Sequence, residues 1–100
     1  MTTKFDSIDH AKEYLAALCG IDLSKAEEVS ELKVYGIDAI LLEEENVPEE
    51  IKKDIRDRID AQKGFRVQTV EGEIQFVIGP FRNRFSCWVI DPKTEVAIRI

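Results

Sequence analysis

The chain has 100 residues, 44% of them apolar and 34% charged, with a net charge of −6. That length can bury roughly two-thirds of the unfolded chain's surface, so a metal or disulfide staple is not required, and the apolar content is too high for disorder. The charge is uneven: residues 1–62 carry 8 Lys and Arg against 16 Asp and Glu (−8), and residues 63–100 carry 6 against 4 (+2). An acidic first part and a small basic excess in the second disfavour direct binding to a nucleic-acid backbone. One domain over 1–100 is expected, mainly helical and acidic over 1–62 and a β-meander over 63–100.

The N-terminal "MTTKFDSIDH" lacks an apolar h-region, and no run approaches the ~18 apolar residues of a membrane span, so no membrane association and a cytoplasmic location are expected. Cys19 and Cys87, far apart and without a second pair, define neither a disulfide framework nor a four-ligand zinc site. Free, buried thiols are the expectation.

Ser7 or Asp6 can cap a first helix over 8–19, whose Ile8, Ala11, Leu15 and Leu18 make one apolar stripe and which Gly20 ends. Asp22 or Ser24 can start a short second helix running through Val29 and Leu32. In "KVYGIDAILLEE" the Val, Tyr and Ile favour a strand over 33–42, with Tyr35, Ile37, Ala39 and Leu41 on one side, although "DAILLEEE" can also wind into helix. Pro48 suits the first position of a helix whose Ile51, Ile55 and Ile59 recur every four residues up to Gly64.

Beyond Gly64 the pattern alternates to the C-terminus. A two-residue turn at Glu71 and Gly72 opposes Phe65 to Ile78, Val67 to Phe76 and Thr69 to Ile74. A second hairpin turning at "DPKT" opposes Phe85 to Ile100, Cys87 to Ile98 and Val89 to Val96. The fold class is α+β: an antiparallel sheet, its C-terminal four strands a meander joined by one earlier strand, with two or three helices packed on one face.

These pairs place Trp88 on the opposite face, near Ala97, Val77, Val70, Ile90, Arg66, Arg99, Gln68 and Gln75. Tryptophan with arginine neighbours is the composition of binding hot spots. Arg82 and Arg84 flank Asn83 in "PFRNRF", where they could receive a carboxylate or phosphate. The tract Glu43, Glu44, Glu45, Glu49 and Glu50 reads as a decoy for a basic groove or, more simply, as carboxylates stabilised at a helix N-terminus.

For catalysis the sequence offers little. His10 is the one histidine. Nine residues of helix would hold it about 13 Å from Cys19, which excludes that dyad, while His10 with Cys87 stays geometrically open without local support. There is no glycine-rich phosphate loop, and no cofactor, metal or catalytic residue is assigned. The expected function is that of a small non-enzymatic intracellular interaction module, an adaptor or inhibitor with the size and acidity of phage or mobile-element inhibitors. It would bind another protein or a second copy of itself through Trp88, Arg66, Arg99, Arg82 and Arg84. The alternative is a small-ligand-binding or enzymatic domain using the Arg82 and Arg84 turn as an anion clamp.

Overall fold

A computed structural model of the chain describes residues 4–100. The first helix, α1 (Ile8–Cys19), starts where the Ser7 side chain accepts a hydrogen bond from the His10 N–H at 3.0 Å. It stops at Gly20, whose φ of 66° is the left-handed conformation glycine adopts without strain. Ala11 and Leu15 are buried as the stripe requires, but Leu18 is exposed. Its place is taken by Ile21, buried just beyond the cap, with its N–H bonded to the Ala16 carbonyl.

The expected second helix does not form. Asp22 caps only a single 3₁₀ turn over Leu23–Lys25, accepting from both the Ser24 N–H and hydroxyl, and the chain then extends into strand β1 (Glu27–Val29). The competing contacts lie across the strand: Glu27 pairs with Arg66 at 2.9 Å and Glu28 with Lys63 at 3.8 Å.

The strand expected over 33–42 is also corrected. Gly36 has φ 56° and turns the chain, after which α2 (Asp38–Glu43) winds instead. A left-handed residue ends an extended run, and the helix-forming "DAILLE" half of the segment prevails. Helix α3 (Glu49–Asp60) follows directly after Pro48 and buries Ile55 and Ile59, leaving Ile51 half-exposed.

Strands β2 (Lys63–Thr69), β3 (Gly72–Phe81), β4 (Arg84–Ile90) and β5 (Ala97–Arg99) form the expected meander, and β1 adds to its β2 edge, giving an antiparallel sheet in the order β1-β2-β3-β4-β5. The α+β class is therefore as the sequence implies. Both hairpin registers are displaced by two residues: Phe65 opposes Phe76, Val67 opposes Ile74, and Val89 opposes Ile98. The first turn falls at Val70 and Glu71, and the second loop is longer than "DPKT". A shift of two preserves the side-chain parity, so each residue stays on its expected face.

One face carries Phe65, Val67, Phe76, Ile78 and Cys87, sealed by Ala11 and Leu15 of α1 together with Phe5 and Ile21. Phe5 is held there by two backbone bonds of 2.8 Å to Phe85. The opposite face meets α3 near its C-terminal end. Gly79 and Ser86 oppose one another there, and a Cβ at Gly79 would lie 2.6 Å from Gln62 Cγ. The helices thus divide between the faces. Gly64 is not a helix stop but an interior residue of β2, with the 29–32 turn packed on its backbone.

Candidate functional site

The Trp88 face is shaped by one buried glutamine. Gln62, next but one after α3, has its side-chain carbonyl accept from the Val34 N–H and its amide donate to the Val34 carbonyl, both at 2.8 Å. The amide thus imitates a strand partner. Lys33 adds bonds from Nζ to the Gln62 carbonyl at 2.7 Å and to the Asp60 carbonyl at 3.4 Å, placing a cation at the end of α3 where the helix dipole favours it. These contacts hold residues 33–36 beside the sheet, and Arg58 of α3 fastens the start of α2 by a 3.5 Å ion pair to Asp38. Replacing Gln62 with Leu leaves both polar groups of Val34 without their partner. It is expected to cost about 1–3 kcal/mol and to shift Trp88 emission to the red as residues 34–37 lift away, read by denaturant titration and the emission maximum.

Between this segment and the sheet runs a groove of about 320 Å³, with Ile59, Pro80, Phe81 and Trp88 as apolar lining and Arg58, Arg99 and Asp38 as charged lining. A second groove, of about 370 Å³, continues past Val34–Gly36 along Ile90, Ala97 and Glu95. Trp88 borders both and is half-buried, partly covered by its own chain and partly open. Tyr35 and Ile37, which also line the first groove, are 48% and 71% exposed.

Of the residues expected at a binding surface, the structure groups three. Arg99 opposes Trp88 across the β4–β5 pair, and its guanidinium lies 4.9 Å from the centre of the Phe81 ring. Arg82 reaches the same ring at 5.4 Å. It does so from a tight turn in which Arg82 and Asn83 both have positive φ, 48° and 67°, the geometry of a two-residue hairpin whose twist matches its strands. Lys4 approaches the ring too, at 5.4 Å.

Arg66 and Arg84 stand apart from this group. Arg66 is on β2, separated from β4 by β3, and is held by Glu27, whose hydrogen bond and charge raise its pKa. Arg84 donates from Nε and Nη2 to one oxygen of Asp6, at 3.2 and 2.6 Å, and this hydrogen bond, then the guanidinium charge, lowers the Asp6 pKa. Arg84 therefore ties the start of the chain to the turn, and the two arginines around Asn83 have different neighbours.

Phe81, Lys4 and Gln62 went unassigned in the sequence. Phe81 stands in the Arg-rich stretch and alternation puts it on the Trp88 face, so it was readable there. Nothing in "AQKG" signals a glutamine that holds a loop.

Both cysteines are free, but only Cys87 is buried as expected; Cys19, at the end of α1, is exposed. Burial, with a smaller contribution from Cys19, pushes the Cys87 thiol up to about 12, leaving it protonated and poorly nucleophilic at neutral pH. With Ellman's reagent at pH 8, one thiol per chain is expected to react in the native protein and the second only on unfolding. Among the described residues no group of His, Cys, Asp and Glu could hold a metal ion, and no helix is long and apolar enough to cross a membrane.

Comparison with protein-family models, with curated proteins and with solved structures found no match.

Proposed function

We propose that the chain is a small, non-enzymatic, cytoplasmic interaction module of the adaptor or inhibitor type, which engages another protein through the grooves on either side of Trp88. The observation that carries this reading is the half-buried indole between two grooves, with Arg99 and Phe81 beside it and Tyr35 and Ile37 exposed on the rim. A rigid aromatic anchor presented with arginine is what concentrates binding energy at protein interfaces, because large contact area is gained with few rotatable bonds. The anchor is also held in place from behind, since Gln62 and Lys33 fix the wall of the groove before any partner arrives. Such preorganisation lowers the entropic cost of association.

The test is a pull-down from an extract of the producing cell, comparing the wild type with Trp88→Ala and Arg99→Ala proteins of matched circular dichroism and denaturant midpoint. One partner is expected to be lost selectively from both variants. An unchanged set of captured proteins speaks against the groove. Sedimentation of the isolated chain separates a foreign partner from self-association.

A further inference from the structure

We infer that the outer face of α2 is a second contact surface and that it receives a basic segment of a partner protein, one with Lys or Arg beside an apolar anchor residue. The face adjoins the first groove through Ile37 and Asp38 but does not include Trp88. The first observation is what α2 exposes. Residues 38, 39, 41 and 42 are partly covered, with Asp38 tied to Arg58 of α3, whereas Ile37, Ile40 and Glu43 are exposed. Spaced three apart, these make one face of the helix. A helix face turned to water is ordinarily polar, yet Ile37 and Ile40 are 71% and 60% exposed, and no residue of α2 is buried. A six-residue helix without a side-chain cap at Ile37 is marginal by itself, and a partner laid on the apolar face supplies the packing it lacks.

The second observation is charge, and it selects the occupant. Residues 37–60 carry 9 Asp and Glu against 4 Lys and Arg (−5), so a negative surplus remains after every cation of α2 and α3 is set against a carboxylate. Lys53, Arg56 and Arg58 are paired with Asp57, Glu49, Asp38 and Asp54, and among the described residues Glu43, Glu44 and Glu45 enter no ion pair. These three lie at the C-terminal end of α2, where the helix dipole favours cations and the last turn holds none. The N-terminus of α3 stabilises Glu49 and Glu50 in its first turn, but Glu43 closes a different helix. A second copy of the chain would bring −5 against −5, and a nucleic-acid strand or an anionic membrane also carries the wrong sign. A basic segment gains twice: its cations meet Glu43, Glu44 and Glu45, and its apolar residue covers Ile37 and Ile40.

The experiment is selection of random 12-residue peptides displayed on phage against the wild type. The winners are re-measured as synthetic peptides by titration calorimetry on three proteins: Ile40→Ser, which touches neither groove, Glu43→Gln with Glu44→Gln and Glu45→Gln, and Trp88→Ala. The α2 side chains changed are all exposed, so these variants are expected to keep the wild-type circular dichroism and denaturant midpoint. Enrichment of Lys or Arg beside Leu, Ile or Phe is expected, with affinity falling about tenfold in each α2 variant and in 0.5 M NaCl. Winners that need α2 support the inference whether or not they also need Trp88. Winners that need Trp88 and ignore both α2 variants would overturn it while leaving the groove reading intact. Binding that falls in the glutamine variant but not in Ile40→Ser would be charge attraction without a docking face, and would overturn it too. So would acidic or uncharged winners, no enrichment at all, tighter binding of a 12-mer of deoxythymidine than of any winner, or a wild-type dimer in sedimentation that Ile40→Ser abolishes.

Discussion

Phe76→Ala is expected to cost about 3–5 kcal/mol, a large share of the roughly 5–15 kcal/mol that stabilises a domain of this size. Phe76 is fully buried at the centre of the sheet, opposing Phe65 on one side and Val89 on the other, and its ring stacks on Phe65 with centroids 5.2 Å apart. Truncation removes that stack and leaves a cavity that α1, held by its own packing, closes only in part. Its neighbour Gln75 points to the other face, where its side chain donates to the exposed Glu73, so Gln75→Ala is expected to stay within about 0.5 kcal/mol. Denaturant titration of the pair reads the parity of β3. Similar losses at both positions would contradict it.

Gly64→Val is expected to cost about 3 kcal/mol, the upper part of the range for overpacking. A Cβ at Gly64 would lie 2.6 Å from the Leu32 carbonyl oxygen, 2.9 Å from that of Val29 and 2.5 Å from Leu32 Cβ. Backbone oxygens cannot swing aside as a side chain does, so the 29–32 turn must lift and pull β1 from β2. The Glu27–Arg66 and Glu28–Lys63 pairs go with it. A denaturation midpoint equal to wild type would show that the turn does not rest on this glycine.

How much of this was legible in the sequence depends on the range over which each signal acts. The cap at Ser7, the stop at Gly20 and the alternation after Gly64 are local, and they yielded α1, the meander and the face of Trp88. Register failed by two in both hairpins, because parity is set by burial whereas the turn position depends on backbone geometry at Val70 and in the loop after Ile90. The 22–42 stretch was misread for a different reason. Glu27 and Glu28 are extended because they pair with Arg66 and Phe65 of β2, nearly forty residues later, and no pattern within the stretch records that. The site was half legible: composition singled out Trp88, Arg99 and Arg82, but Gln62, which sets the groove's wall, acts through Val34, 28 residues away. Arg66 and Arg84 look equivalent to the others as letters. Their places, Arg66 on β2 beside Glu27 and Arg84 beside Asp6, emerge only in three dimensions.

The central claim is that Trp88 opens into grooves that a partner protein can reach. Because Trp88 is the one tryptophan in the chain, its fluorescence reports those grooves alone. The decisive measurement is quenching by acrylamide, a neutral quencher, in dilute protein. The half-buried indole is expected to be quenched measurably in the native state, though less than in the unfolded chain. An indole that acrylamide does not reach until the chain unfolds would contradict the account.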